Sequence, residues 1–469
     1  MRGIAILVLG WGLAVQAAEL PPNVDRVLTG LGISPEEVSI VVQAVDAGTP
    51  VLSHLANRPR NPASVMKVVT TWVALEHLGP AYQWPTEVYT LGAFDGGSLK
   101  GELALKGYGD PYLVLEEFWK MLRALRRLGL EDIEGDLLLD DSFFLVNEPN
   151  PGAFDGQPFR TYNVVPNALL VNFKAVQFQF FADPASGRVN IVTDPVLANL
   201  DIRNSLELTE GPCRGYQAGI SFNPADPATA DRVIFDGRFP ARCSSYGLSR
   251  TVLQHDTYTY GLFKSLWTEL GGSLQGGYRR DRVPENMEPA LTWQSRPLAE
   301  IIRSINKNSN NVMTRQLLYT LGATDLGRPG TRRKGIQVMR DFLSGRGFEL
   351  ETLHTENGAG LSRRESISAE LLTGILRAAA RSIYAPEFMA SLSLGGLDGT
   401  TRGRFGAGAA GMHVKTGRLD HVSALAGYVQ PSNGPTYVIA IMVNAEDAHR
   451  GPGQEVEEAV IDWVQSLHN

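Results

Sequence analysis

The chain has 469 residues, more than a single hydrophobic core usually contains, so we expect two or more domains. Its composition, 43% hydrophobic and 20% charged, is that of an ordinary globular protein. The formal net charge of −7 argues against a broad basic surface, and we therefore expect no nucleic-acid partner.

Residues 1–18 are predicted to be a secretory signal peptide. Arg2 supplies the positively charged n-region, residues 4–15 form the apolar core, and residues 15–17 supply the small residues near the cleavage site. The apolar stretch is shorter than the roughly 20 residues that span a bilayer, although an uncleaved anchor is an alternative. No later segment is long and apolar enough to cross a membrane. We expect a periplasmic protein with no stable membrane span.

The first part of the mature chain has an α/β pattern. Residues 38–45 form a strongly β-prone run, and after a turn at 47–49 the chain can return as a second strand over 50–56, which predicts a hairpin. Residues 63–78 have a helical pattern that Gly79-Pro80 ends. Ser64 is therefore placed at the N-terminus of a helix.

Residues 86–250 differ from the rest of the chain and are predicted to form one or more β-rich inserted domains. Short β-prone runs at 102–106, 136–139, 188–192 and 232–235 alternate with Gly, Pro and Asp turns, around one amphipathic helix at 113–128. The only two cysteines, Cys213 and Cys243, lie here. In an oxidising compartment a disulfide is favoured over two buried free thiols, and it would stabilise the fold by about 3 to 4 kcal/mol.

The remaining chain alternates helices and then strands. Helical patterns at 255–270, 297–306, 312–321, 332–343 and 368–380 predict a helix-rich body, and strands at 412–415, 423–429 and 436–443 precede a closing helix at 452–467. The terminal elements are expected to share one sheet. The predicted fold class is α/β (α+β), an antiparallel sheet flanked by helices, built from residues 19–85 plus 251–469.

Three short motifs occur in a fixed order: Ser64-Val-Met-Lys67, Ser309-Asn310-Asn311 and Lys415-Thr416-Gly417. Two of the patterns recur, Ser-x-x-Lys at Ser304 and Ser-x-Asn at Ser221 and Ser304, so single matches decide nothing. Alone, each motif would be structural: a helix cap, a polar loop and a strand end. Together, with Ser64 beginning a helix and Ser304 lying inside one, they favour an acyl-serine site.

The first two motifs supply a nucleophile and proton carriers. Lys67 lies one helical turn after Ser64 and can reach its hydroxyl, which is a poor nucleophile until a base removes the proton. The amine can be that base if its pKa falls from about 10.4 to roughly 7–8. Burial and a second cation, Lys415, act in that direction. Ser309 can pass a proton to the leaving amine, and Asn311 offers an amide to the substrate backbone.

The third motif suits substrate binding. Gly417 lets a substrate chain lie close to the strand, while Thr416 and Lys415 offer a hydroxyl and a charge to a terminal carboxylate. The backbone N–H groups of Ser64 and Arg418 would form an oxyanion hole.

With these residues the chain resembles the D-alanyl-D-alanine carboxypeptidase/endopeptidase family of class C low-molecular-mass penicillin-binding proteins, peptidase family S13. The long separation of Ser64 from Ser309 favours this family over class A β-lactamases, which keep the two motifs closer. The resemblance implies that Ser64 is the nucleophile, Lys67 the base and Lys415 a substrate contact, with Ser309 and Asn311 forming the second motif. Further blocks that resemble the family are Gly109-Asp110-Pro111, 135–142, Tyr162-Asn163, 306–311, 360–363, Asp398-Gly399-Thr400 and 415–428.

Two positions depart from the family pattern. Ala359 stands where a serine is common, and Arg418 replaces the small hydroxyl residue that often follows Lys-Thr-Gly. The second change brings another cation to the pocket and could alter carboxylate binding or β-lactam affinity. The resemblance also implies that Asp140 or Asp141 faces the substrate cleft, with a turn-forming or capping role as the alternative.

The implied function is a serine D-Ala-D-Ala carboxypeptidase and DD-endopeptidase that acts on peptidoglycan and binds β-lactams covalently. A β-lactamase or esterase would use the same acyl-serine step but needs a dedicated deacylating base. A catalytically silent cell-wall binding protein is a third alternative, which the intact motifs disfavour. We expect no cofactor and, because the eight histidines are scattered, no metal site.

Overall fold

The computed structural model describes residues 19–147, 150–243, 245–406 and 411–468; the predicted signal peptide, residues 1–18, lies outside the described residues. The α-helices are α1 Pro22–Leu31, α2 Met66–Leu78, α3 Leu115–Arg127, α4 His255–Glu269, α5 Leu298–Asn308, α6 Asn311–Asp325, α7 Arg332–Gly345, α8 Ala369–Ala380, α9 Ala385–Ser391 and α10 Pro452–Ser466. The strands are β1 Val38–Ala44, β2 Leu52–His54, β3 Pro85–Asp95, β4 Ser98–Gly107, β5 Asp132–Ile133, β6 Leu137–Asp140, β7 Ala175–Asp183, β8 Arg188–Asp194, β9 Asp201–Thr209, β10 Ser221–Pro224, β11 Arg232–Pro240, β12 Tyr246–Thr251, β13 Ser273–Leu274, β14 Tyr278–Arg280, β15 Leu291–Gln294, β16 Ser393–Leu394, β17 Met412–Leu419, β18 Val422–Val429 and β19 Tyr437–Asn444.

Six strands form an antiparallel sheet in the order β16-β17-β18-β19-β1-β2. β1 pairs with β2, which confirms the predicted hairpin, and with β19 in the register Val38↔Val443. The two ends of the described chain therefore share one sheet, as predicted. Alternate residues of β1 are buried on opposite faces of this sheet, because successive strand side chains point in opposite directions.

Helices cover both faces of the sheet. Ile40 and Leu425 pack with α1 and α10, whereas Val41 and Ala426 pack with α2 and the helices α5–α8. Burying both apolar faces is what stabilises this layered arrangement. The architecture confirms the predicted α/β (α+β) class.

The inserted segment has its own hydrophobic core and three sheets. Its largest sheet runs β13-β5-β4-β3-β15, with β6 pairing to β4 and β14, and two three-stranded sheets have the orders β10-β11-β9 and β12-β7-β8. Phe178 and Phe235 both belong to this core, with ring centroids 4.9 Å apart. Cys213 and Cys243 form a disulfide in this segment, with their Cα atoms 5.4 Å apart.

The chain that follows residue 250 still packs with the inserted segment. Helix α4 was expected in the helix-rich body, but Leu262, Phe263 and Trp267 bury its apolar face in the second core instead. β15 then pairs antiparallel with β3, at the point where the chain returns to α5. We propose that the insertion extends to Gln294 instead of ending at residue 250.

In the part of the chain that the structure describes, no helix combines the length and apolar character that crossing a bilayer requires.

Candidate active site

Ser64 lies in a single turn of 3-10 helix, Ala63–Val65, that runs directly into α2. Two glycines let neighbouring backbone press against this turn. A Cβ on Gly417 would lie 2.3 Å from the Pro62 carbonyl oxygen, and one on Gly360 would meet the Ala63 carbonyl. Any larger residue at these positions would push β17 or the 355–360 loop away from Ser64.

Lys67 is fully buried one turn after Ser64, as the motif spacing predicts. Its Nζ lies 3.0 Å from Ser64 Oγ and 2.7 Å from Asn311 Oδ1, and it also donates to the Ala359 carbonyl. The two carbonyl-type oxygens can only accept. A neutral amine can therefore donate to both and turn its lone pair toward the Ser64 hydroxyl, the arrangement that a general base needs.

The electrostatics of Lys67 favour that neutral form. Burial, and next the positive charge of Lys415, hold the pKa of Lys67 well below its ordinary value, whereas Glu365 acts in the opposite direction. Taking an ammonium out of water disfavours its charged form, and a second cation nearby adds to the effect. Both causes that the sequence suggested, burial and Lys415, are present.

Lys415 and Ser309 form a second lysine–serine pair. Lys415 Nζ donates to Ser309 Oγ at 3.0 Å and to the Thr416 carbonyl at 2.7 Å, and burial lowers the pKa of Lys415 to about 7. Ser309 has a left-handed backbone, φ +56°, at the end of α5, and the Asn310 side chain caps α6. The α5–α6 junction thus places Ser309 beside Lys415.

Asn311 connects the first motif to the inserted segment. Its Oδ1 accepts from Lys67, and its Nδ2 donates to the Tyr162 carbonyl at 3.2 Å. The sequence assigned this amide to the substrate backbone. In the structure it holds Lys67 in place, and the Tyr162 segment lies directly against it.

Ser64 and the third motif open onto one cleft of about 350 Å³. At its edge the hydroxyls of Thr400 and Thr416 lie 2.7 Å apart. The cleft is lined by Ser64, Ser309, Thr400, Arg404, Thr416, Gly417, Arg418, Ser423, Gln454 and Glu457. All three motifs therefore contribute to a single site.

Sequence reasoning missed Arg404 and Glu457 as lining residues. The buried Glu457 carboxylate accepts from Arg404 Nη2 at 2.9 Å and from Ser423 Oγ at 2.6 Å. These residues come from a loop and from α10, and no local pattern in the sequence connects them. Only the tertiary fold brings them to the third motif.

The repeated copies of the motifs have structural explanations. Ser304 lies within α5, and Lys307 donates to Asp398 Oδ2 at 2.6 Å and to the Leu392 carbonyl. Ser221 accepts from Asn223 Nδ2 at 3.0 Å within β10 of the insertion. Neither copy lies on the cleft that contains Ser64.

Asp140 and Asp141 support structure in the inserted segment. Asp140 accepts from the backbone N–H groups of Ser142 and Val283, at 3.0 and 2.9 Å. Asp141 pairs with Arg280 at 2.8 Å. Neither lines the cleft, so the turn-forming alternative holds for Asp140.

Within the described residues, one group has the composition of a metal site: His421, Asp447 and His449. Each imidazole Nδ1 accepts a backbone N–H, His449 from His421 and His421 from Asp447. These bonds place the ring proton on Nε2 of both neutral histidines, which then cannot offer a lone pair to a cation there. The group ties two surface turns together.

The profile of the D-Ala-D-Ala carboxypeptidase 3 (S13) family matches residues 20–467. The chain belongs to this family. Two similar proteins are named D-alanyl-D-alanine carboxypeptidases. The enzyme DacB of Haemophilus influenzae is 22% identical over 418 residues, 87% of this chain and 85% of the relative. The enzyme of Actinomadura sp. strain R39 is 27% identical over 461 residues, 94% of this chain and 84% of the relative.

Solved structures have the same fold. The crystal structure of penicillin binding protein 4 (dacB) from Haemophilus influenzae has a TM-score of 0.79 at 21% identity, covering 94% of this chain and 99% of that one. The same protein in complex with a β-lactam has a TM-score of 0.75. A predatory peptidoglycan endopeptidase from Bdellovibrio bacteriovorus has a TM-score of 0.54 at 16% identity, covering 92% of each chain. These likenesses confirm the DD-peptidase fold.

Proposed function

We propose that this S13 family member is a serine D-Ala-D-Ala carboxypeptidase and DD-endopeptidase that acts on peptidoglycan stem peptides and crosslinks. One observation carries the proposal: two buried lysine–serine pairs, Lys67 with Ser64 and Lys415 with Ser309, meet at one cleft. A nucleophile with a neutral base and a second proton carrier are what acyl transfer through a serine ester needs.

In acylation, Ser64 Oγ attacks the carbonyl carbon of the D-Ala-D-Ala peptide bond while Lys67 takes the hydroxyl proton. The backbone N–H groups of Ser64 and Arg418 stabilise the oxyanion. When the C–N bond breaks, Ser309 donates a proton to the leaving amine and recovers one from Lys415, and the proton that Lys67 took from Ser64 passes back to Lys415, so that Lys67 is neutral again. Water then attacks the ester carbonyl carbon while Lys67 takes one of its protons. Lys67 gives that proton to Ser64 Oγ as the ester C–O bond breaks, which frees Ser64 and the shortened peptide.

The substrate carboxylate is assigned to the end of the cleft at Thr416. The hydroxyls of Thr400 and Thr416 meet there, and Arg418 contributes an exposed positive charge at the rim. The buried Lys415 amine lies beside them, bonded to Ser309 Oγ and to the Thr416 carbonyl. A carboxylate accepts several charge-assisted hydrogen bonds from such a set. In the endopeptidase reaction the leaving amine belongs to the crosslinked peptide, and the steps at Ser64 are unchanged.

β-Lactams are proposed as covalent inhibitors of the same serine. The β-lactam complex of the Haemophilus protein, which shares this fold, supports the assignment. Export to the periplasm is proposed from the predicted signal peptide, residues 1–18, and brings the enzyme to its peptidoglycan substrate.

Labelling with fluorescent penicillin tests the nucleophile. Wild type is expected to form a stable adduct, and Ser64→Ala none. Ser304→Ala is the matched control, because it removes the serine of the second Ser-x-x-Lys pattern and should label like wild type. Equal labelling of Ser64→Ala would contradict the mechanism.

Release of D-Ala from a pentapeptide, and of free stem peptides from a crosslinked dimer, identifies the substrate reaction. A β-lactamase would instead hydrolyse penicillin through many turnovers without releasing D-Ala. A silent binding protein would do neither.

A further inference from the structure

Glu365 is a buried carboxylate that the proposed reaction steps do not use. Its side chain is 1% exposed and lies behind the 355–360 loop. One oxygen, Oε1, accepts from Thr355 Oγ1 at 3.2 Å and from the backbone N–H groups of Glu356 and Asn357 at 3.3 and 3.2 Å. These three hydrogen bonds to one oxygen attach the 355–360 loop to Glu365.

The loop that Glu365 holds reaches Lys67. Its Ala359 carbonyl accepts a hydrogen bond from Lys67, and its Gly358 carbonyl accepts one from Thr70 at 2.7 Å, one turn further along α2. Of the two protein carbonyl oxygens that accept from Lys67, one therefore depends on the conformation that Glu365 fixes.

The second oxygen of Glu365, Oε2, raises the question of why this residue is an acid. Among the described residues, Oε2 has no hydrogen-bond partner although it is buried. A glutamine would offer the same Oε1 acceptor without a buried charge, so loop packing alone does not call for a carboxylate. Burial raises the pKa of Glu365 to about 7, so above that pH the acid adds a negative charge, which opposes the lowering of the Lys67 pKa.

The charges that act on Lys67 come from two elements. Lys415 on β17 is a neighbouring cation and Glu365 is a neighbouring anion, with opposite effects on the Lys67 amine. An amine left beside Lys415 alone would be neutral over a wider pH range but would also be a weaker base. A general base works best when its pKa lies near the operating pH, so an opposing anion is useful.

We propose that Glu365 is a positioning residue for acyl transfer: Oε1 holds the loop that presents the Ala359 carbonyl to Lys67, and the negative charge offsets that of Lys415. The proposal rests on the proposed function and refines it. Glu365 does not line the cleft, so it acts through Lys67 and not on the substrate.

Two substitutions separate the two roles. Glu365→Gln keeps an oxygen for the loop and removes the charge. Glu365→Asp keeps the charge and shortens its reach to the loop. Asp110→Asn is the matched control: Asp110 is another buried carboxyl, burial raises its pKa to about 7, and neither Lys67 nor Lys415 is among the charges that act on it.

The readout is the pH dependence of the second-order rate of acylation by penicillin. The rate rises with pH as Lys67 loses its proton. Without the Glu365 charge, Lys67 loses the proton more readily. The acid limb of the pH–rate profile, where the rate rises with pH, should therefore move to lower pH by on the order of one unit in Glu365→Gln. The plateau should fall, because the base is weaker. Glu365→Asp should keep the limb in place with a lower rate, and Asp110→Asn should match wild type.

An unmoved acid limb in Glu365→Gln, or a shift to higher pH, would overturn the proposal. If Glu365→Gln does not fold, Glu365→Asp decides: a limb displaced in that charge-retaining variant equally overturns it. Failure of the proposed function looks different, because wild type itself would then show no acylation at any pH.

Discussion

The sheet-and-helix body and the inserted segment differ in where they place charged side chains. In the body, Lys67 and Lys415 are fully buried and bond to neutral oxygens. In the insertion, typical charges are paired at the surface, as in Arg279 with Glu102 and Arg232 with Asp201. Burying an ammonium costs free energy that these surface pairs avoid. Burying these two lysines therefore destabilises the body for the sake of its chemistry, whereas these ion pairs leave the charges of the insertion in contact with water.

The largest expected effect concerns Lys67, the buried lysine that acts as the base. Lys67→Met removes the base, and the rate of Ser64 acylation by penicillin should fall about 10³-fold, within the usual contribution of a general base. The matched control is Lys174→Met. Lys174 is partly buried, and burial lowers its pKa to about 8. Its Nζ donates to the Leu253 carbonyl at 2.8 Å, and the residue does not line the cleft.

Stopped-flow labelling measures both rates. Lys174→Met should acylate like wild type. If both variants lost activity equally, buried lysines in general would be required for folding, and the special role of Lys67 would be refuted.

The second expected effect lies in the insertion. Replacing Cys213 and Cys243 by serine releases a loop with a sequence separation of 30 residues, and the free energy of unfolding should fall by about 3 to 4 kcal/mol. Acylation per folded molecule should be unchanged, because the disulfide lies in the insertion and not at the cleft. Urea unfolding followed by tryptophan fluorescence measures the loss, with reduced wild type as the control. A fall in the acylation rate of the folded variant would show that the two regions are coupled.

The third expected effect is an increase in the free energy of unfolding. Lys415→Met should abolish efficient turnover yet raise the free energy of unfolding by about 1 to 3 kcal/mol, since it removes a buried ammonium. Burial lowers the pKa of Lys415 from 10.5 to about 7 in the folded protein. Between these values the unfolded chain binds more protons, so wild-type stability rises with pH.

The stability gained in Lys415→Met should therefore be largest at and below about pH 7 and should disappear as the pH approaches 10.5. Urea titrations of wild type and variant across this range test the sign. A variant that is less stable than wild type at pH 7 would show that the hydrogen bonds of Lys415 outweigh its desolvation.

Much of the body could be predicted because its signals are local. The β-prone runs that became β1 and β19, the helical period of α2 and the three motifs each occupy a few consecutive residues. The order of the three motifs also predicted that their side chains would form one site. Ser64, Lys67, Ser309 and Lys415 are brought together as the motif chemistry requires.

The rest could not be predicted because it depends on packing between distant segments. The apolar face of α4 could suit either core, and only the pairing of β13–β15 places it in the insertion. Glu365 follows two arginines in a polar stretch, where a carboxylate normally faces solvent. Its burial beneath the 355–360 loop results from the loop's own turns, for which the sequence gives only Gly358 and Gly360 as hints.

The smallest expected effect concerns the exposed ion pairs of Arg279 in the insertion. Arg279 makes two hydrogen bonds of 2.7 Å to Glu102 and one of 2.6 Å to Asp281, good geometry for an exposed pair. Its side chain is still 40% exposed, so water and salt screen the charges, and Arg279→Ala should cost less than about 1 kcal/mol. The loss should shrink further in 0.5 M salt, while acylation stays unchanged. A loss of several kcal/mol, independent of salt, would mean that the insertion also depends on desolvated charge, and the distinction between the two regions would then rest on the position of the lysines alone.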